Sequence, residues 1–159
     1  MPNAERCRTL VGRAKSATLA TIARDPAGFP YASLVAVAFD GAGRPILFLS
    51  ELAEHTGNLH ARPEASVLVA EAPGPNADPL ALGRVTILGP CVRVPDAERA
   101  SVRALFLREH PTAAQYIDFR DFAFYRMEPI ALRYVGGFGR MSWVTPEEYQ
   151  AAELDPSRD

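Results

Sequence analysis

The chain has 159 residues, 48% of them hydrophobic and 23% charged, the proportions of one ordinary globular domain. These values exclude a disordered chain and a collagen-like repeat, and two cysteines, Cys7 and Cys91, are too few for a disulfide scaffold. A net charge of −2, from 17 basic and 19 acidic residues, lacks the basic excess of a dedicated nucleic-acid-binding domain. The start, Met1 to Arg6, has no apolar core of the kind a secretory signal needs, and no run approaches the ~18 apolar residues of a membrane span. The expectation is a cytoplasmic protein with neither nucleic acid nor membrane as partner, built as one domain over residues 1–150 with a flexible tail over 151–159.

In chain order, residues 3–15 place Cys7, Leu10, Val11 and Ala14 at helical spacing, with Asn3 as the N-cap. Strands are expected over 17–23, 31–39 and 45–49, the last two joined by the turn Asp40-Gly41-Ala42-Gly43. A short helix over 52–61 carries the stripe Leu52, Thr56 and Leu59. A fourth strand follows over 65–71, an exposed Pro- and Gly-rich loop over 73–79, and a long fifth strand over 83–94 with a bulge or edge at Gly89-Pro90. Asp96 is expected to cap an amphipathic helix running to His110, and Thr112 to start a further helical turn. Residues 121–127 and 129–135 alternate and read as a final hairpin. Gly136-Gly137-Phe138-Gly139 ends the sheet, and a short helix opens near Thr145. This order lacks the regular βαβ alternation of a doubly wound sheet. It fits a mainly β (α+β) domain, an antiparallel barrel with short inserted helices.

Several mechanisms are excluded by what the chain lacks. Lys15 is the only lysine among the 17 basic residues and does not sit in a Gly-Lys-Ser/Thr loop, so there is no P-loop. His55 and His60 are five residues apart, which does not align two zinc ligands on one helical face, and no Cys-x-x-Cys exists; no metal site is expected. A haem ligand needs only one histidine, which keeps His55, His60 and His110 open for that role. No serine lies in Gly-x-Ser-x-Gly, and both cysteines read as packing. Gly137-x-Gly139 is followed by Ser142 and Trp143 rather than a third glycine and a helix, so it fails as a dinucleotide fingerprint. No catalytic residue is identified.

The segment Ser50-Glu51-Leu52-Ala53-Glu54-His55-Thr56-Gly57-Asn58 is the richest in chemistry. Ser50, His55, Thr56 and Asn58 gather polar side chains at a helix N-terminus, where free N–H groups favour an anion. Helix capping and a phosphate cradle explain these residues equally well. Arg84, at the start of a long strand, would supply a neutralising charge.

The series Gly28-Phe29-Pro30-Tyr31-Ala32-Ser33, Pro45 through Leu59, Arg62-Pro63, Gly83 through Gly89 and Gly136 through Arg140 resembles, in order, the FMN-binding split-barrel superfamily. That is the pyridoxamine 5′-phosphate oxidase-like group, and the similarity is greatest to its HugZ-like haem-utilisation members. The resemblance implies a six-stranded antiparallel split β-barrel and a homodimer with cofactor sites at the subunit interface. It implies FMN as cofactor, with haem or a deazaflavin as alternatives, and a small-molecule substrate. Ser33, His55, Thr56, Asn58 and Arg84 fall at cofactor-contacting positions. Ser50, Glu51 and Leu52 would border the ribityl chain and ring through backbone, and Arg140 and Trp143 would reach the ring from the partner subunit. An arginine of the oxidases is replaced by Ser33, and their C-terminal Arg-x-His motif is missing. The haem-degrading members carry a further C-terminal domain, whereas this sequence ends at Asp159. The resulting expectation is an FMN-dependent oxidoreductase, with a haem-binding or haem-degrading protein or a non-enzymatic flavin carrier as the alternatives.

Overall fold

The computed structural model describes residues 1–155. In chain order these form α1 (Asn3–Arg13), β1 (Ser16–Ile22), β2 (Pro30–Phe39), β3 (Pro45–Ser50), α2 (Glu54–Ala61), β4 (Glu64–Ala70), β5 (Gly83–Arg93), α3 (Arg99–Glu109), β6 (Phe122–Met127), β7 (Ala131–Gly136), β8 (Met141–Val144) and α4 (Pro146–Ala151). Strands β1, β2, β3, β6, β5 and β4 close into a six-stranded antiparallel barrel, because β4 pairs with both β1 and β5. Strands β7 and β8 extend the sheet from β5. This is the split barrel that the sequence led us to expect.

Alternation drives the closure. Along β5, Gly83, Val85, Ile87, Gly89 and Cys91 are buried while Arg84, Thr86, Leu88 and Pro90 are half-exposed. The inward set meets Leu19, Val37, Leu47, Val67, Tyr125 and Met127 in one core; full burial of each large aliphatic stabilises by roughly 1.5–3 kcal/mol. A second core lies outside the barrel, where α3 and the 3-10 turn Pro111–Gln115 cover Phe48 and Phe124 with Phe106, Ala113 and Ile117. Strand β3 is therefore covered on both faces, which is why Pro45 to Leu49 reads as an unbroken buried run. Helix α2 packs on β1 at another flank, and α1 packs against β4 and β5.

The expected hairpin between 121–127 and 129–135 does not form. Strand β6 pairs with β3 and the last residues of β5, while β7 pairs with the first part of β5 and with β8. One long strand thus hands its edge from β7 to β6 at Gly89-Pro90. A Cβ at Gly89 would overlap the carbonyl oxygen of Glu128 in the crossing segment. Beyond that point Glu128 N–H donates to Pro90 O at 3.0 Å and Cys91 N–H to Pro63 O at 2.8 Å. Gly136 to Gly139 were expected to end the sheet; instead Gly136 closes β7 and residues 137–140 turn the chain into β8. Gly137 and Gly139 there adopt φ of +90° and +73°, which glycine supplies without strain.

Three boundary expectations are also corrected. Pro2, not Asn3, holds the N-cap position of α1; the Asn3 amide donates to Ser142 Oγ at 2.9 Å and ties α1 to β8. Asp96 opens a separate 3-10 turn, Asp96–Glu98, without a side-chain cap. Helix α2 begins at Glu54, so Leu52 lies before it and is 84% exposed rather than part of an apolar stripe. The short helix expected near Thr145 is α4, fixed by a capping box between Thr145 and Glu148, and the expected tail over 151–159 begins at its last residue. Leu154 lies against Gly12, and Asp155 N–H donates to Thr9 Oγ1 at 3.0 Å. Residues 156–159 of that segment lie outside the described residues. No helix among the described residues is long and apolar enough to cross a membrane.

Candidate functional site

The chain leaves β3 at Ser50 and folds back on that residue. Ser50 O accepts from Ala53 N–H at 3.2 Å and from Thr56 Oγ1 at 2.6 Å, and Ser50 Oγ accepts from Leu52 N–H at 3.2 Å. Helix α2 then starts from Ala53, which has no capping side chain. The N–H groups of Glu54 and His55 find no hydrogen-bond partner among the described residues, the open donors of an uncapped first turn.

From that turn His55 projects toward β2. Its Nδ1 lies 3.0 Å from Ser33 Oγ. Its Nε2 is buried and has no partner. A buried polar atom left unpaired is destabilising by about 1–3 kcal/mol, so this nitrogen marks a position that a ligand would complete. The pocket beside it, about 390 Å³, has Ser50 and His55 on one side and Leu34, Phe48, Tyr116 and Phe122 as walls. Leu34 is 80% exposed at its mouth. Burial holds the His55 pKa below its usual 6.5, so the ring is neutral at pH 7. With the proton on Nδ1, donated to Ser33, Nε2 presents a lone pair; with the proton on Nε2, the ring is a donor. Ser33 therefore sets what His55 offers.

The other predicted residues divide into two groups. Thr56 and Asn58 are brought to the site but are fully buried with their polar atoms engaged. Thr56 caps Ser50 O, while Asn58 accepts from Arg24 N–H at 3.1 Å and donates to Thr21 Oγ1 at 3.1 Å, fastening α2 to β1. Glu51 N–H donates to Asp121 O at 2.7 Å and Leu52 N–H is held by Ser50, so neither backbone donor is open to a ligand. The Glu51 carboxylate turns to Tyr125 Oη at 3.1 Å, next to His60. The second group lies apart in the protomer. Arg84 donates from one guanidinium nitrogen to the carbonyls of Leu80 and Leu82. Trp143 is 61% exposed on β8 beneath the Arg133 guanidinium, and Arg140 is exposed in the β7–β8 turn.

The aromatic walls were missed in the sequence, although five aromatic residues between positions 116 and 125 were the signal for them. Among the three histidines the structure discriminates. His60 Nε2 meets Tyr125 Oη at 2.7 Å and His110 Nε2 meets Val37 O at 2.8 Å, leaving His55 as the one with a buried, open Nε2. Cys7 and Cys91 are buried, and burial pushes both thiols up to about 12; they are packing groups. No cluster of three or more His, Cys, Asp or Glu residues that would hold a metal ion occurs among the described residues.

Strand order and barrel closure together define a six-stranded split β-barrel. The chain belongs to the CREG β-barrel family, whose model matches residues 1–151. It is 40% identical over 156 residues to the chloroplastic non-canonical heme oxygenase HOZ of Arabidopsis thaliana, covering 96% of this chain and 47% of that protein. A heme binding protein from Mycobacterium smegmatis superposes with a TM-score of 0.89 at 40% identity, over 98% of this chain and 63% of that one. A pyridoxinephosphate oxidase family protein from Clostridium acetobutylicum shares the fold, with a TM-score of 0.69 at 14% identity over 94% of this chain and 99% of that one. The chain thus spans about half the length of the curated relative it matches.

Proposed function

We propose that this chain binds haem in the pocket between β2, β3 and α2, with His55 as the residue that meets it. The observation that carries this reading is the buried, unpartnered Nε2 of a neutral His55 in an apolar, aromatic-walled pocket. The two relatives at 40% identity, whose names specify haem, move haem ahead of the FMN suggested by the sequence. Bound haem would supply the redox and oxygen chemistry of its iron. The chain's own contribution is narrower. Ser33 would accept from Nδ1–H and so leave the Nε2 lone pair free for a ligand. Leu34, Phe48, Tyr116 and Phe122 exclude water and offer flat faces to a conjugated ring. The open N–H groups of Glu54 and His55 receive an anionic arm such as a propionate.

A second reading, FMN as cofactor of an oxidoreductase, is favoured by the same uncapped turn, since a phosphate would fit those donors equally well. Here His55 would be a hydrogen-bond donor rather than an iron ligand. A deazaflavin differs from FMN at the ring and is met by the same walls.

Both readings include a second copy of the chain. Across the outer face, Leu34, Thr18, Leu68, Thr86, Arg133 and Trp143 stand in one register row over β2, β1, β4, β5, β7 and β8. The neighbouring row is Ala32, Ala20, Ser66, Leu88 and Ala131. This surface, which mixes the apolar Leu34, Leu68, Leu88 and Trp143 with small and polar side chains, suits a partner, and Arg84, Arg140 and Trp143 would reach a pocket through one.

Titration of ferric haem and, separately, FMN into the purified protein separates the readings. The haem reading expects a saturating Soret change at one haem per chain, with FMN unable to displace it. Saturable binding of FMN with none of haem would overturn it.

A further inference from the structure

A larger cavity, about 630 Å³, lies between α1 and the adjoining ends of β1 and β4. It shares no lining residue with the His55 pocket, and its volume is that of a small-molecule site. Leu10, Ala14 and Ala70 give it apolar surface. Arg6 and Arg13, seven residues apart and so about two turns on one face of α1, stand along its wall. Neither forms an ion pair with a described residue; Arg6 donates only to Met1 O, at 3.1 Å. The third cation, Lys15, is already paired with Glu109. The one lining carboxylate, Glu71, accepts from Gly83 N–H at 2.8 Å.

A further group points the same way. Tyr134 is only 6% exposed, lines the cavity and lays its hydroxyl beside Gly136. That hydroxyl makes no hydrogen bond with a described residue. Two guanidinium groups without a carboxylate partner, a phenol hydroxyl without a partner among the described residues and an apolar floor form one chemical pattern.

We infer that this cavity is a second ligand site, which takes a small amphipathic anion: a carboxylate, sulfonate or phosphate on an apolar body. The anionic group lies between Arg6 and Arg13 within reach of the Tyr134 hydroxyl, and the apolar body lies on Leu10 and Ala14. This site is independent of the haem pocket and of which cofactor that pocket holds.

Two fluorescent probes that differ by one charge test it: 1-anilinonaphthalene-8-sulfonate and its uncharged analogue N-phenyl-1-naphthylamine. Wild-type protein should bind the sulfonate at least about tenfold more tightly than the neutral probe, the scale of a charge-assisted contact. The double variant Arg6→Gln/Arg13→Gln should erase that difference, and Tyr134→Phe should reduce it, with melting temperature and haem titration unchanged in both. The inference is overturned if the wild type shows no saturable sulfonate binding or no preference for it. It is also overturned if the preference survives in the double variant, or disappears in Leu34→Glu, which would place the probe in the other pocket.

Discussion

At the scale of single residues, His55 is the position on which the functional account depends. The resemblance of its segment marked it as a cofactor contact, but its pairing with Ser33 was not legible. The two residues are 22 positions apart, and only the fold of β2 against α2 brings them to 3.0 Å. Thr56 and Asn58 show why the sequence alone could not assign such residues. Polar residues near a helix start read alike whether they cap the backbone or await a ligand, and burial assigns these two to the backbone and to β1. A pH dependence follows from the state of His55. Its pKa is held below 6.5 by burial, so the unfolded chain takes up the proton first. Stability is then full above the unfolded value, falls as the pH drops below about 6.5, and levels off once folded His55 is also protonated. Thermal melts between pH 7.5 and 5 should show a shallower loss in His55→Gln than in the wild type; identical slopes would contradict a buried neutral imidazole.

At the scale of elements, most strands were legible because alternation and turn residues mark them locally. Strands β1 to β5 fall within a residue or two of the positions read from the sequence. The failures came where pairing is not local. Glu128-Pro129 looked like a turn between two alternating segments, and nothing nearby reveals that β5 separates them by changing partners along its length. Strand β8 has four residues, too few for a periodic signal. Gly89 is the residue that allows the exchange, because a side chain there would occupy the place of Glu128 O. Gly89→Ala should therefore cost about 3 kcal/mol of stability. Urea unfolding would show this as a lower midpoint at unchanged slope, whereas a midpoint equal to the wild type would mean the crossing is loose.

At the scale of the whole molecule, the candidate site looks incomplete in one chain. Its pocket is open at Leu34, and the predicted contacts Arg84 and Trp143 stand on other strands of the sheet, with Arg140 in the β7–β8 turn. The sequence could not show the sheet's outer surface, because its rows join residues from six strands that only the register aligns. Leu68 sits in the middle of one row and outside the His55 pocket, so it tests assembly without touching the ligand walls. Leu68→Glu should shift the protein from dimer to monomer in sedimentation experiments at micromolar concentration, through unpaired buried charge. A wild type that sediments as a monomer, or a variant that stays dimeric, would place the interface elsewhere.

The central claim is that His55 Nε2 meets haem iron, and chemical rescue reads it directly. The ferric haem complex of His55→Gly should lose the absorption and electron paramagnetic resonance signature of a nitrogen-ligated iron. Added imidazole should restore that signature, since glycine leaves a space of the ring's shape beside Ser33. A variant whose haem spectrum matches the wild type without imidazole would show that another group holds the iron and would contradict the account.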